Sequence, residues 1–561
     1  MRGWALSAAF TLAAGALALP ASPARPQSLA DTARVRRWRE DLAFVVDRVT
    51  TVHPRPFAFS SRAAFDSAAA AIGQRIATTD DAGLAADCMR LVASLGDGHT
   101  ILIGTFPALG FDAVLPLWLR PCEDGLYVGA AGPPFARAAG AKVVSIGGVA
   151  ADQALERVLA ITSGDNRYTR LDRAPLFLMM PALLKTLGLA AARDRVTIEI
   201  ERPDGKREQL AVSGGRPPAG YPDAFLESEP RVPAGWTGAR RFPSGGPPRC
   251  DLNEADAWWL EYLQEYRVLY LRMRRVDPVS GKLAYFEFFR KLFRMMDELK
   301  PRAFVIDLRH DHGGNNSILD PLIRGIVERP WIDRDGALFA IVDRGTFSAA
   351  MNAAVFLDNQ TRVTFVGEPT GGRVNHYGDA PELHTPNLRL LLQVSTVPWM
   401  SRFPTDERKW ITPDLAVRST FADWSDGRDR ALEAVIDVVL RGSLGSRILE
   451  AARANGLQAG AEARDAWRRQ YPNPWNEGLE RRPLRLAGDL MDSGQAAEAA
   501  TLCEVLVGLD PGSYLAWRTL GEALIAREDN AHAADALRHA LEINPHGETA
   551  RMMLERLGEK P

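Results

Sequence analysis

The sequence predicts a multidomain α/β protein, and three observations carry that prediction. At 561 residues the chain is too long for one hydrophobic core and has room for about three or four domains. Between residues 257 and 440, apolar strand-like runs alternate with amphipathic helix-like runs, the pattern of a layered domain with largely parallel strands. Near the C-terminus, the tripeptides ending at Pro511 and Pro545 close two similar units 34 residues apart. The composition, 46% hydrophobic and 25% charged, is that of a folded chain. A formal net charge of -2 shows no basic excess, so nucleic acid is not an expected partner.

Taken in order, the first element is a targeting segment. Arg2 precedes the apolar run Trp4 to Leu19, which exits through the small residues of "PASPA". This reads as a secretory signal peptide over residues 1–24, and it implies a periplasmic or secreted protein. The run is short for a stable membrane span. Cys88, Cys122, Cys250 and Cys503 are scattered, without the paired spacing of a metal site. A disulfide is compatible with export, but the sequence assigns none.

Residues 31–101 have apolar side chains at three- and four-residue spacing in "VRRWREDLAFVVDRV" and "LAADCMRLVASL", which predicts an N-terminal helical domain ending at the turn "GDGHT", Gly96 to Thr100. Residues 105–215 mix short strands ("LYVGAA", "AKVVSIGG", "RVTIEIERPDG") with one helix ("ADQALERVLAITSG"), which predicts a small α+β module resembling a PDZ domain. Residues 216–256 are rich in proline and glycine and read as a linker or functional loop. In 257–440 the strands are "YRVLYLRM", "AFVIDLR", "LFAIVD" and "TRVTFVG". The helices are "LAYFEFFRKLFRMMDEL", "LDPLIRGIVER" and "SAAMNAAVFLDN". In 445–561, Trp517, Leu520, Gly521, Ala533, Leu537, Ala540 and Pro545 fall where a tetratricopeptide repeat has its packing residues. The preceding unit keeps Leu486, Leu490, Ala499 and Pro511. A helical stretch from Arg447 to Arg469 would add packing surface. This region is either a protein-binding groove or a helical cap.

The chemistry concentrates at three strand ends. "VIDLRHDHGG", Val305 to Gly314, places glycines directly after a buried strand, where their N–H groups can point at a developing oxyanion. Ser348 sits where the strand "LFAIV" gives way to a helix. It is there either a nucleophile beside helix N-terminal N–H groups or only a helix cap. "GEPTGGR", Gly367 to Arg373, is a second glycine turn after a strand.

In this order, with "WITPDL" following, these motifs resemble the tail-specific, or C-terminal-processing, family of serine peptidases. "GDGHT" fits the branch with tricorn-like proteases and retinoid-binding relatives. The resemblance covers roughly Asp31 to Leu440. It implies a Clp-protease/crotonase-like α/β catalytic domain over 257–440, a PDZ-like module and Ser348 as nucleophile. Many members use a lysine base just after the "GExTxG" turn. Here that residue is Arg373, which keeps its proton, and no lysine lies between Pro301 and Arg408.

The base is therefore expected to be a histidine. The resemblance to the tricorn-like branch points to His99 of "GDGHT", with His376 as the alternative. It also points to Glu407, or the adjacent Asp406, as the carboxylate that orders the network. Gly313 or Gly314, together with Ala349, would supply the oxyanion N–H groups. The expected substrate is a peptide or unfolded protein segment, and nothing in the sequence calls for a metal or organic cofactor. Two other functions share these features: an inactive binding protein for an apolar ligand or peptide on the same fold, and a periplasmic scaffold acting through its repeats.

Overall fold

A computed structural model describes residues 31–103, 113–218, 232–243, 246–280, 283–401, 403–475 and 481–560. The expected signal peptide lies outside these residues, as does part of the Pro/Gly-rich segment. The described chain is a multidomain α/β protein with a C-terminal helical region.

The organising element is a six-stranded sheet. Its order is Leu415–Ala416, Thr364–Gly367, Leu338–Val342, Ala303–Asp307, Val268–Met273 and Trp258–Leu263. The first five run parallel and the last is antiparallel. Ala303–Asp307 and Leu338–Val342 are buried at every position, as expected for strands covered on both faces. The register pairs Asp307 with Ile341 and Val342 with Gly367, so three strand ends finish level. The loops after them emerge along one edge, the usual position of a site in an open α/β sheet.

One face of the sheet packs on the helices Tyr285–Leu299, Asp320–Val327 and Ala349–Gln360 through Phe289, Leu322, Ile323 and Ala353. The other face continues into the C-terminal helices. Val305 and Phe339 share a core with Val435, Ile448, Val505 and Ala523. Asp414 is one tie between the two regions, accepting from the Phe365 N–H at 2.8 Å and pairing with Arg482. In the tail, Gly521 lets its helix approach Leu537 so closely that a Cβ would sit 2.7 Å from that side chain.

The N-terminal helices Thr32–Val52, Arg62–Arg75 and Asp81–Ala93 begin at the side-chain caps Asp31, Ser61 and Asp80. They do not form a core of their own. Trp38, Val45 and Leu84 belong to one continuous cluster with Leu117, Val128, Ile146 and Ile198 of the α+β module. That module is a seven-stranded sheet with the helices Ala151–Leu159 and Arg167–Leu178. The described parts of the Pro/Gly-rich segment are packed as well. Thr237–Gly238 pairs with the strand Gly125–Ala131, and the Cys250 carbonyl accepts from Arg272 and Arg274. Cys88, Cys250 and Cys503 are buried thiols outside any disulfide. No helix among the described residues is long and apolar enough to cross a membrane.

Candidate active site

Ser348 is the first residue after the loop Asp343–Phe347 and precedes the helix Ala349–Gln360. Its backbone has φ 54° and ψ -123°, a conformation that non-glycine residues rarely adopt. Ser348 occupies the cap position but makes no side-chain cap hydrogen bond. Its Oγ lies 3.0 Å from Nε2 of His99 instead. The strained turn thus turns the hydroxyl away from the helix end and toward the ring.

His99 is held by its own turn. Asp97, two residues earlier, accepts the His99 N–H at 2.9 Å, an Asx-type turn that fixes the loop. The second Asp97 oxygen accepts from Thr100 Oγ1 at 2.5 Å and from Ser395 Oγ at 2.7 Å. The same oxygen lies 3.1 Å from His53 Nε2. His53 Nδ1 accepts the Arg55 N–H, so Nε2 carries the proton that His53 gives to Asp97. Burial alone would raise the Asp97 pKa, but these donors and the nearby His99 outweigh it and hold the carboxyl at about 2. A fixed negative charge therefore stands beside the His99 ring.

The ring itself is sandwiched. Phe347 stacks on one side, with centroids 4.4 Å apart and planes 23° apart. His376 lies 5.9 Å away, with planes 13° apart. Burial, aided by His376 and Arg173, pushes the His99 pKa down to about 3 against the pull of Asp97 and the Tyr377 carbonyl. The ring is neutral at neutral pH, with Nε2 available to accept the Ser348 proton.

Gly313 and Gly314 have φ of 106° and 143°. A Cβ on Gly313 would lie 2.6 Å from Ser348 Cβ and 2.7 Å from the Ala349 nitrogen, so only glycine lets this loop rest on the serine turn. The Gly313 N–H is occupied, donating to Asp311 Oδ1 at 2.8 Å. Among the described residues the N–H groups of Gly314 and Ala349 are left without an acceptor. Of the glycines expected to face an oxyanion, Gly314 is the one with a free donor. The loop is anchored on both sides. Arg309 bridges Asp307 and Asp429, and Asp343 accepts from the N–H groups of His310 and Gly345.

The other residues singled out from sequence fall differently. His376 gives its Nδ1 proton to the Arg373 carbonyl at 3.1 Å and stacks on His99 without bonding Ser348. Arg373, at the lysine position, donates its N–H to Asp165 and lays its guanidinium over Phe59, 4.1 Å from the ring centroid. Glu407 is exposed and makes no contact with His99. Asp406 pairs with Arg408 at 2.8 Å. The segment carrying both is drawn toward Asn375, which donates to the Phe403 and Asp406 carbonyls, so neither carboxylate turns to the base. Asp97 stands beside His99 instead. Its place two residues before His99, between glycines, was the available sequence signal. No cluster of three or more His, Cys, Asp or Glu side chains among the described residues could hold a metal ion.

No family model matches the chain. Solved structures do. Mature CPAF is 13% identical, covers 73% of this chain and 98% of its own, and superposes with a TM-score of 0.50. Mature CPAF complexed with lactacystin gives 13% identity, 73% and 99% coverage and a TM-score of 0.51. The photosystem II D1 C-terminal processing protease gives 12% identity, 72% and 97% coverage and a TM-score of 0.32, too loose to add to the comparison. The chain has the overall fold of CPAF along nearly all of that protein's length.

Proposed function

We propose that this chain is an exported serine endopeptidase that hydrolyses peptide bonds in unfolded or C-terminal protein segments. The observation that carries the reading is the 3.0 Å contact of Ser348 Oγ with His99 Nε2 across a strained turn. The CPAF-like fold supports it, and the apolar segment after Arg2 supports export.

In this reaction the Ser348 hydroxyl attacks the scissile carbonyl carbon while His99 Nε2 takes its proton. The carbonyl oxygen becomes an oxyanion held by the N–H groups of Gly314 and Ala349, each such donor typically worth about 3 kcal/mol of barrier. The Asp97 carboxylate stabilises the imidazolium through space. His99 then protonates the leaving amine nitrogen as the C–N bond breaks. Water, deprotonated by His99 Nε2, attacks the acyl carbon, and the proton returns to Ser348 Oγ as the ester bond breaks and the acid product leaves.

The test is to incubate the mature chain with an unfolded protein and compare fragments by mass spectrometry among wild type, Ser348→Ala and His99→Ala. Cleavage that both substitutions abolish is the expected result. Lactacystin, carried by the CPAF complex, is a first competitor to include. The absence of a carboxylate hydrogen bond to His99 Nδ1 favours a second reading, an inactive binding protein on this fold. That reading predicts no cleavage by any variant on any substrate.

A further inference from the structure

We propose that Asp172 and Arg173, adjacent on the helix Arg167–Leu178 of the α+β module, are positioning residues for the Ser348–His99 site. Between them they grip the residue that immediately precedes the base, the one that precedes the nucleophile and the one that precedes the oxyanion glycines. The inference rests on the peptidase reading above.

Arg173 Nη1 donates to the Gly98 carbonyl at 2.8 Å and to the Ser163 carbonyl at 3.0 Å. Gly98 is the residue before His99, and a Cβ there would meet Phe347 at 2.8 Å and Asp165 at 2.9 Å. The Arg173 guanidinium carbon lies 5.0 Å from the ring centroid of Phe347, the residue before Ser348. That phenyl ring is the one stacked on His99. Asp172 Oδ2 lies 2.8 Å from Nε2 of His312, the residue before Gly313 and Gly314. Neighbouring side chains on a helix point about 100° apart, so two consecutive residues reach two different loops.

The helix that carries them is fixed at its start. Asn166 caps it through the Tyr168 and Thr169 N–H groups, and its amide donates to the Thr370 and Lys409 carbonyls at 3.1 and 2.7 Å. The Thr169 hydroxyl donates to the Gly371 carbonyl. The first turn is thereby docked on the "GEPTGG" loop, and the next turn delivers Asp172 and Arg173 to the other two loops.

Arg173 is only half-buried, and holding two carbonyls is not all that it does. Arg173 also sets charge. The charged and titratable groups acting on the His99 ring are Asp97 from its own turn, His376 from the strand His376–Gly378 and Arg173 from this helix. Asp97 favours the protonated ring, while Arg173 and His376 oppose it. Removing the Arg173 charge must therefore move the protonation of His99 to higher pH. A purely structural strut would not do this.

The experiment follows the rate of covalent labelling of Ser348 by a fluorophosphonate, together with peptide kcat and KM, from about pH 2.5 to 9 in the full chain. The variants are Arg173→Ala, Arg173→Lys and Asp172→Asn. Arg173→Ala is expected to lower kcat about 100-fold with KM within about threefold, the scale of loss from a misplaced reacting group. Its acidic limb is expected to move to higher pH. Arg173→Lys keeps the charge without the planar fork, so it should restore the position of the acidic limb but not the full kcat. Asp172→Asn should lower kcat about tenfold with the limb unmoved, as for a group acting on the oxyanion loop alone. A kcat within threefold of wild type in Arg173→Ala, or an unshifted limb, overturns the proposal. Should Arg173→Ala fail to fold, a wild-type kcat in Arg173→Lys overturns it and a reduced kcat on an unmoved limb supports it. A wild type that no fluorophosphonate labels overturns the peptidase reading itself and takes the positioning role with it.

Discussion

Ser348 Oγ and His99 Nε2 are 3.0 Å apart although 249 residues separate them along the chain. The pair is assembled by two different cores. Ala349 and Ala350, which follow the serine, pack in the core beneath the six-stranded sheet. Leu95 and Leu102, on either side of the histidine turn, pack in the core shared by the N-terminal helices and the α+β module.

The His99 pKa, held at about 3 mainly by burial, fixes the direction of the pH dependence. A base must be unprotonated to act, so activity is lost only as pH falls toward the folded-state value. The acidic limb of kcat/KM is expected below about pH 5, under the ordinary histidine range near 6.5. Initial rates across a pH series check this, and a limb centred near 6.5 would contradict it.

Asp97 and Glu407 are distinguished by substitution. Asp97→Asn removes the charge beside His99 and weakens its bonds to His53, Thr100 and Ser395, so kcat should fall about 10- to 100-fold. Glu407→Gln, at an exposed residue away from His99, should leave kcat within about twofold, as surface changes usually do. Steady-state kinetics on both variants decide between the two carboxylates.

Gly313→Ala should abolish activity without unfolding the chain. The added Cβ meets the Ser348–Ala349 backbone under 3.0 Å and demands φ 106°, which alanine avoids. A loss of about 100-fold or more in kcat, with a cooperative melt retained in circular dichroism, is the expected pair of readings.

Asp311 carries a stability prediction. It is fully buried, its Oδ2 has no hydrogen-bond partner, and burial pushes its pKa up to about 7 from an ordinary value of 3.8. A raised pKa means that the folded state holds the proton longer. The associated stability is present below about pH 4 and is lost as pH rises through 7. Asp311→Asn keeps an oxygen for Gly313 and cannot ionise. Relative to wild type, its melting temperature should rise steadily between pH 4 and 7, with a gain of about 1 to 4 kcal/mol at the upper end. A constant difference across that range would refute the assignment.

Much of the sheet could be read from local pattern. "AFVID" and "LFAIV" are uninterrupted apolar runs because both faces of those strands are covered, and each is a strand in the structure. The Ser348 junction was visible for the same reason, as the point where strand pattern yields to alanines. What its hydroxyl faces was not, because that contact is with a residue 249 positions away. The separation of the N-terminal helices from the α+β module also failed to appear. Periodicity marks which face of a helix is buried but not against what, and here the partner is the neighbouring module. The resemblance that points to Glu407 finds the segment but not the direction its side chains take. Asp172 and Arg173 carry no local signature, since their meaning comes only from the three loops they reach.

The division of the reacting pair between two cores has a consequence for synthesis. A chain made from its N-terminus carries His99 long before Ser348 exists. The histidine half is also unfinished until the strand Leu391–Gln393 arrives to pair with Ile101–Ile103 beside it. Under the proposed function, a nascent or half-folded molecule has no reaction centre with which to cut itself or its neighbours, and hydrolytic competence would report that tertiary assembly is complete.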